Sequence, residues 1–218
     1  MADSFMNLRP SKIVCVGRNY AEHARELGNE VPKAPLLFLK APSSLIGPGE
    51  PIVLPEDSAQ VEYEAEIGVV IGKRLHRASP GQAEQGIQGF VCLNDVTARD
   101  LQKSDGQWTR AKGFDTFCPA GPRVAEGLDW RTLEVVGRVN GVERQRGKAS
   151  EMVFPIPSLV SYISRVMTLL PGDIVATGTP AGVGPLAPGD VVEVEVSGVG
   201  TLRNPVKAFE AGLGGATS

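Results

Sequence analysis

The sequence is poor in cysteine and has no long apolar segment. It contains three cysteines among 218 residues, Cys15, Cys92 and Cys118, and they form no CxxC pair. This small odd number predicts a reduced, cytoplasmic protein without a disulfide framework. No apolar run approaches the roughly 20 residues of a membrane span, and residues 1–10 lack the apolar core of a signal peptide. We therefore expect no membrane partner.

The chain also has little excess charge. It carries 22 Lys and Arg against 25 Asp and Glu, which gives a net charge of −3, and its pI is near 5.5. Proteins that bind nucleic acid or anionic membranes in general need a clear excess of positive charge. The composition therefore argues against both classes of partner.

Glycine and proline, by contrast, are abundant. There are 26 glycines and 17 prolines, together with 42% apolar residues. Because that apolar content can fill a core, the excess indicates turns between short strands rather than disorder. No linker of disordered composition divides the chain. We expect one β-rich α+β domain over residues 1–218, with residues 211–218 as a frayed tail.

Two strand patterns stand out. Val61–Gly72 is the clearest predicted strand, and its uniformly apolar end, Ile67–Ile71, indicates burial on both faces. Leu133–Val139 is followed by Asn140 and Gly141, and Asn-Gly suits the type I′ turn of a β-hairpin.

Acidic residues alternate along the start of the first of these strands. Glu62, Glu64 and Glu66 are two apart and so share one face of a strand. An exposed face would leave them simply solvated, whereas a buried one would need a cation, and hard divalent ions take oxygen ligands. Asp95 follows the apolar strand Gly89–Asn94 and is a further candidate ligand. Its alternative role is to cap a helix over residues 96–101.

A short predicted helix carries a possible acid–base pair. The pattern predicts a helix over Tyr20–Leu27, with Asn19 as its N-cap and Gly28 ending it in a left-handed conformation. His23 and Glu26 lie three apart on one face, where the carboxylate can fix the tautomer of the imidazole. Taken alone, such a spacing is more often a surface ion pair.

Other candidate features are ambiguous without further information. Lys112 lies between small residues, and an isolated lysine is usually solvated. Trp108 and Phe114 are typical of a cleft wall or a core. Thr177–Gly184 is glycine-rich, but no Gly-Lys-Ser/Thr follows, so we reject nucleotide binding.

Several motifs, in order along the chain, resemble the fumarylacetoacetate hydrolase family. They cover nearly all of residues 12–207, and the short chain and the helical His/Glu pair are most similar to acylpyruvate hydrolases, some of which decarboxylate oxaloacetate. The matching blocks are Gly17-Arg18-Asn19-Tyr20 with His23 and Glu26, Phe38-Leu39-Lys40, Glu64-x-Glu66-x-Gly68, Asp95-Val96-Thr97-Ala98-Arg99-Asp100, Lys112-Gly113-Phe114-Asp115 and Thr177-Gly178-Thr179-Pro180. The resemblance implies a mixed β-sandwich roll with a few short helices, and a homodimer.

The resemblance also implies a metal site. Glu64, Glu66 and Asp95 would hold one Mg²⁺ or Mn²⁺. Larger members use a fourth acid on the first strand, where this chain has Val16, which suggests three protein ligands. Glu62 is not a ligand in the matching pattern, and we treat it as an exposed acid or one that supports a ligand.

The remaining site residues take their expected roles from the same resemblance. His23, oriented by Glu26, would activate water on a segment that orders when substrate binds, and Asn19 and Gly28 at its ends fit a separately mobile lid. Lys112 would stabilise an enolate or oxyanion. The expected substrate contacts, through carboxylate or carbonyl groups, are Arg18, Arg99, Gln102 and Thr179.

The function implied is hydrolysis of a C–C bond in a 2,4-dioxo acid such as an acylpyruvate, with possible decarboxylation of oxaloacetate. The enzymatic alternative is isomerisation or tautomerisation of an unsaturated 2-oxo diacid, which needs proton transfer but no attacking water. A third hypothesis is a non-catalytic protein that binds small oxo acids.

Overall fold

The computed structural model describes residues 8–210, and its largest sheet has seven strands. In spatial order these are β2 (Leu36–Lys40), β1 (Ile13–Gly17), β12 (Ile174–Ala176), β6 (Ala65–Ile71), β7 (Ile87–Asn94), β9 (Cys118–Ala125) and β3 (Leu45–Ile46). The sheet is mixed, because β1 pairs with β12 in parallel and with β2 antiparallel.

Two smaller sheets complete the β structure. The five-stranded sheet has the order β11 (Val142–Lys148), β10 (Glu134–Val139), β14 (Val191–Val196), β15 (Gly200–Ala208) and β4 (Ile52–Leu54). The three-stranded sheet has the order β13 (Gly184–Pro185), β5 (Val61–Tyr63) and β8 (Thr97–Ala98).

The α-helices of the described residues are few and short. They are α1 (Ala21–Glu26), α2 (Pro80–Gln85), α3 (Arg99–Asp105), α4 (Thr109–Gly113) and α5 (Ile156–Val166). None of them is long and apolar enough to cross a membrane. The expected β-rich α+β fold with a few short helices is confirmed. The predicted tail, residues 211–218, lies outside the described residues, and the single-domain assignment stays a prediction.

The core forms on both faces of the seven-stranded sheet. Ile67 and Val69 of β6 join an apolar cluster with Val194 of β14 and Leu159 of α5. Val70 points the other way, into a second cluster that contains Ile13, Cys15, Val91 and Cys118. Because side chains alternate along a strand, β6 is buried on both faces, as its apolar sequence predicts.

The segment predicted as one strand, Val61–Gly72, is two strands that meet at Glu64. Side-chain amides bond the backbone at the junction. Asn94 Oδ1 accepts from Glu64 N at 2.9 Å, and Gln145 Oε1 accepts from Ala65 N at 2.9 Å. Before the break the chain pairs in the three-stranded sheet, and after it in the seven-stranded sheet. The expectation that Glu62, Glu64 and Glu66 share one continuous strand is therefore wrong.

The hairpin is confirmed, whereas one helix cap is not. Asn140 and Gly141 both have positive φ, 54° and 77°, between β10 and β11, as a type I′ turn requires. Gly28 follows α1 with φ +68°, but Asn19 does not cap that helix. Its side-chain amide donates to Phe154 O and Thr177 O, so it ties the chain before α1 to other segments.

Candidate active site

Three buried carboxylates converge where β6 begins and the neighbouring strand β7 ends. Ala65 pairs with Asn94 and Glu66 with Leu93, and Asp95 N donates to Glu64 O at 2.9 Å. One carboxylate oxygen from each of Glu64, Glu66 and Asp95 lies within 4.8 Å of the others. Each of these side chains is almost fully buried. Carboxylate oxygens at this spacing are a donor set that suits Mg²⁺ or Mn²⁺.

Buried cations surround two of these acids. Lys112 Nζ donates to Glu64 Oε2 at 2.9 Å and to Asp95 Oδ2 at 2.7 Å. Lys40 Nζ donates to Asp95 Oδ1 at 2.6 Å. Arg99 donates to Glu64 Oε1 through Nη2 at 2.6 Å. The side chain of Asp95 is thus held by lysines, and α3 begins only at Arg99, so the alternative role of Asp95 as a helix cap is wrong.

Glu66 differs from its neighbours, because no Lys, Arg or His of residues 8–210 lies within 4.0 Å of it. Its Oε2 accepts from the backbone N–H of Gly178 at 2.7 Å. Burial, together with the nearby charges of Asp95 and Glu64, raises the pKa of Glu66 well above its ordinary value. Glu66 has no positive charge beside it among the described residues, and a divalent cation bound between Glu64, Glu66 and Asp95 would supply one. The residues present therefore fit a metal ion.

Glu64 and Lys112, by contrast, are held in their charged forms. Burial disfavours the charge of Glu64, but Lys112 and Arg99 hold the pKa of that carboxyl well below its usual range. Burial alone would lower the pKa of Lys112, but Asp95 and Glu64 raise it to about 12. The ammonium of Lys112 therefore stays charged at neutral pH.

A cleft of about 60 Å³ opens beside the acids. Glu64 and Glu66 line it, together with Val16. Trp108 and Phe114 occupy the two environments that the sequence predicts, a cleft wall and the protein core. Trp108 forms part of the cleft wall, and Phe114 packs against Phe117 with ring centroids 5.2 Å apart.

The proposed acid–base pair lies at this cleft. His23 lines it and is buried, and its Nδ1 is 3.1 Å from Glu26 Oε2. A carboxylate only accepts, so the neutral imidazole carries its hydrogen on Nδ1 and keeps the lone pair of Nε2 free. The structure thus joins the helical pair and the acids in one site.

The expected substrate-contact residues all line the same cleft, but they differ in how free their polar groups are. Arg18 has no hydrogen-bond or ion-pair partner for its guanidinium within residues 8–210, and its φ of 60° is rare for a residue with a side chain. Arg99 donates to Glu62, Glu64 and Gln102, which makes it an ion-pair partner within the protein. Of the two arginines at the cleft, Arg18 is therefore the one whose charge has no partner among the described residues.

Thr179 and Gln102 are partly engaged. The Thr179 hydroxyl donates to Ala65 O at 2.8 Å and accepts from Gln145 Nε2 at 2.7 Å, so its hydrogen is not available to a substrate in this arrangement. Gln102 accepts from Arg99 through Oε1 and keeps its amide hydrogens for a ligand.

Two buried residues of this site, Lys40 and Gln145, have no role that the sequence predicts. Lys40 stands at the end of an apolar strand, and Gln145 alternates with exposed polar residues on β11. A lysine that closes an apolar strand is a weak signal, and the inward register of Gln145 could not be read without strand pairing. Glu62 is buried and bonds Arg99 at 2.8 Å, so it supports Glu64 through a shared guanidinium and is not an exposed acid.

Comparison with known proteins identifies the family. The model of the fumarylacetoacetate (FAA) hydrolase C-terminal family matches residues 12–207. The chain belongs to this family. The resemblance carried by the sequence motifs is therefore confirmed, and members of the fumarylacetoacetate hydrolase family are enzymes that act on small substrates and generally bind a divalent metal.

Relatives within the fumarylacetoacetate hydrolase family carry different names. Oxaloacetate tautomerase FAHD2A, mitochondrial, of Bos taurus is 42% identical over 210 residues, which cover 91% of this chain and 67% of that protein. The crystal structure of 5-carboxymethyl-2-hydroxymuconate delta-isomerase from Mycobacterium smegmatis has a TM-score of 0.87 and 47% identity, covering 93% of this chain and 81% of that one. Fumarylacetoacetate hydrolase from Exiguobacterium antarcticum has a TM-score of 0.85 and 42% identity, covering 93% and 76%.

Proposed function

We propose that this protein hydrolyses a C–C bond of 2,4-dioxo acids, acylpyruvates in particular, to pyruvate and a carboxylic acid. One observation carries the proposal: His23, which is bonded to Glu26, lines the same cleft as the acids Glu64 and Glu66. Hydrolysis needs a base for water beside a group that binds the dioxo acid, and this cleft offers both.

The metal site is part of the proposal. Glu64, Glu66 and Asp95 would hold one Mg²⁺ or Mn²⁺, and the bound ion would supply Lewis-acid stabilisation of negative charge on substrate oxygen. Four buried carboxylates, including Glu62, face only three buried cations, Lys40, Arg99 and Lys112. With Glu66 ionised, as metal binding requires, a divalent ion would turn this excess of one negative charge into an excess of one positive charge, which suits an anionic 2-oxo acid.

The protein's own groups account for binding and proton transfer. The free guanidinium of Arg18 would bind the substrate carboxylate through paired hydrogen bonds. Nε2 of His23 would take a proton from water, whose oxygen attacks the 4-oxo carbon. The bond between C3 and C4 then breaks, the acyl group leaves as a carboxylic acid, and C3 of the pyruvate enolate takes up a proton. The ammonium of Lys112 would stabilise the enolate oxygen until then.

The same enolate forms when oxaloacetate loses CO₂. A site that stabilises it therefore supports decarboxylation of oxaloacetate without a second set of residues.

A tautomerase or isomerase is the second candidate function. It is favoured by the relatives, because one is named an oxaloacetate tautomerase and another a 5-carboxymethyl-2-hydroxymuconate delta-isomerase. This reaction moves a proton between carbon and oxygen or between two carbons, and His23 can serve as its base without an attacking water.

Product analysis separates the candidates. The protein would be incubated with Mg²⁺ and, in turn, acetylpyruvate, oxaloacetate and a 2-hydroxy-dienedioate, and the products followed by NMR. Pyruvate and acetate from acetylpyruvate are expected. An isomer or tautomer without pyruvate would overturn the hydrolase in favour of the second candidate.

Variants of the acids test whether the site is catalytic at all. Glu64→Gln and Glu66→Gln should remove metal affinity and turnover, and Glu193→Gln on β14 is a matched control. Unchanged turnover and metal affinity in the two site variants would mean that the assigned site is wrong. Metal and oxo-acid binding without turnover in the parent protein would instead support the non-catalytic hypothesis.

We also propose that the protein is a homodimer. Among the strands of residues 8–210, β2 lies at one edge of the seven-stranded sheet and is bonded to β1 alone, and its Leu36 and Leu39 are 38% and 48% exposed. Apolar residues on an open strand edge favour contact with another chain. Light scattering coupled to size-exclusion chromatography should give about twice the 23.0 kDa chain mass, and a monomer at micromolar concentration would contradict the proposal.

A further inference from the structure

The position of His23 depends on contacts outside its own helix. Helix α1 has six residues, and the side chain of its N-cap, Tyr20, makes no capping bond. A helix of this length has little stability by itself in water. The contacts of its two ends therefore decide where the imidazole lies. Asn19 secures the first end through Phe154 and Thr177.

The last residue of α1, Glu26, secures the other end. Its Oε1 and Oε2 lie 3.0 Å and 3.2 Å from the backbone N–H of Gly182, which donates to them. The same carboxylate faces Nδ1 of His23 at 3.1 Å. The backbone of Gly182 is thus the outer partner of the group that orients the imidazole.

The Gly182 peptide is itself held from the other side. Tyr63 Oη donates to Gly182 O at 2.9 Å, and Tyr63 pairs with Gly184 in the three-stranded sheet. The ring of Tyr63 is buried. Tyr63, Gly182, Glu26 and His23 therefore form a continuous series of hydrogen bonds, which we name the positioning chain.

Position 182 accepts only glycine. Gly182 has φ +102°, and a Cβ there would lie 2.0 Å from Arg144 O. Both the left-handed backbone and the close approach exclude a side chain. The peptide of Gly182 can therefore present its N–H to Glu26 and its carbonyl to Tyr63 at the same time.

The positioning chain starts next to the metal-binding residues, since Tyr63 directly precedes Glu64 in the sequence. It joins β5, which ends next to Glu64, to the helix that carries the base, and neither Tyr63 nor Gly182 is among the residues that line the cleft.

We propose that Tyr63 and Gly182 are positioning residues that hold the His23 imidazole in its Nδ1–H tautomer with Nε2 toward the cleft. Neither residue lines the cleft, and they act through Glu26. The inference rests on the proposed function only in that His23 is the base, because the geometry of the positioning chain is independent of the substrate.

Tyr63→Phe is the decisive variant, since it removes one hydroxyl and leaves the buried ring in place. The sequence contains two histidines, so ¹⁵N-histidine NMR of the full chain with saturating Mg²⁺ resolves His23 against the exposed His76. We expect the parent His23 signals to show the Nδ1–H tautomer and those of Tyr63→Phe to move toward a mixture. With acetylpyruvate, kcat should fall about three- to tenfold, the loss expected for one neutral hydrogen bond, and KM should stay within about twofold.

Tyr162→Phe is the matched control. Tyr162 lies on α5, where its ring contacts the Arg165 guanidinium at 5.6 Å, and its substitution should change neither the histidine signals nor kcat. Gly182→Ala should show a larger change in the same His23 signals, with its melting temperature measured in parallel. If Gly182→Ala does not fold, the result for Tyr63→Phe alone decides whether the positioning chain holds the imidazole.

The two proposals fail in different ways. His23 signals in Tyr63→Phe that match those of the parent overturn the positioning role, whatever happens to turnover. A shifted His23 tautomer in a protein that cleaves no 2,4-dioxo acid supports the positioning role and overturns the proposed hydrolysis.

Discussion

Glu66 is the buried carboxylate of the site without a cationic neighbour among residues 8–210, and this difference has a consequence for metal binding. Burial with Asp95 and Glu64 raises the pKa of Glu66, so the metal-free carboxyl holds its proton to higher pH than an ordinary glutamate does. A metal ion requires the deprotonated form. Binding must then displace a proton.

We therefore predict that affinity for Mg²⁺ rises with pH until Glu66 is ionised in the metal-free protein, by about tenfold per pH unit for one displaced proton. Isothermal titration calorimetry in buffers of different ionisation enthalpy counts the protons released. In Glu66→Asp the same acidic group is kept and release should persist, whereas binding without proton release in the parent protein contradicts the prediction.

Replacing one carboxylate oxygen of Glu26 by an amide nitrogen should change which ring nitrogen of His23 carries the hydrogen. In Glu26→Gln the side-chain carbonyl can still accept from Gly182 N, but the amide then presents hydrogens to Nδ1 of His23. The ring would carry its hydrogen on Nε2 and could not accept a proton from water at the cleft. We expect kcat to fall by about 100-fold, the scale of lost general-base catalysis, with Mg²⁺ affinity unchanged.

Steady-state kinetics and calorimetry on one preparation test this. Glu22→Gln, on the exposed side of the same helix, is the control and should keep the parent kcat. A Glu26→Gln enzyme with full activity would remove the pair from the mechanism.

At the scale of elements, local sequence patterns correctly predict those turns and strands that depend on neighbouring residues alone. The Asn140-Gly141 turn and the doubly buried end of Val61–Gly72 follow from backbone preference and from apolar content. The break at Glu64 does not, because the amides of Asn94 and Gln145 that bond there come from distant positions in the chain. Asn19 shows the same limit, since a side chain suited to capping is used for bonds to Phe154 and Thr177.

The site divides in a similar way. Motifs identify Glu64, Glu66, Asp95, His23, Glu26 and Lys112 as a group. In the structure four of them line one cleft, and Asp95 and Glu26 bond to Lys112 and His23 there. The sequence does not reveal that Arg99 is engaged by acids while Arg18 is free, because that depends on which carboxylates meet each guanidinium in space.

Asp173, which directly precedes β12, bonds to Ser11 and Lys12 before β1, and this link between two segments can be tested by its effect on stability. Its carboxylate accepts from Ser11 N at 3.0 Å and Leu170 N at 2.8 Å, and it pairs with Lys12 Nζ at 2.5 Å. We expect Asp173→Asn to lower the free energy of unfolding at pH 7 by about 1–3 kcal/mol, since these partly buried hydrogen bonds lose an ionised acceptor.

The pH dependence of that loss has a definite sign. Burial alone would raise the pKa of Asp173, but bonds from Lys12, Leu170 and Ser11 lower it below the ordinary value of 3.8. Its contribution is therefore full above pH 3.8 and is lost as the pH falls through the folded-state pKa. Urea denaturation at several pH values should show the parent and Asp173→Asn converging in acid, with Asp57→Asn as an exposed control. A constant difference down to the lowest pH would contradict this assignment.

At the scale of the whole molecule, the proposed metal site predicts that the stability of the fold depends on the metal ion. An ion that binds the folded chain alone stabilises it by mass action, by about 2.7 kcal/mol at a hundred times its Kd. For a chain of this size that corresponds to a rise in Tm of about 5–10 °C. Differential scanning fluorimetry with Mg²⁺ or Mn²⁺ measures the rise, EDTA should reverse it, and Glu64→Gln should abolish it. A rise that persists in Glu64→Gln would place the ion elsewhere.

The three free thiols lie on three strands of the seven-stranded sheet, Cys15 on β1, Cys92 on β7 and Cys118 on β9, and all are buried. Burial raises the pKa of Cys92 and of Cys118 to about 12, so the folded protein offers almost no thiolate to an alkylating reagent at neutral pH. Alkylation then proceeds only when a strand opens, and mass spectrometry tells which cysteine has reacted. The order in which the three thiols are modified therefore records the order in which the strands of the seven-stranded sheet separate.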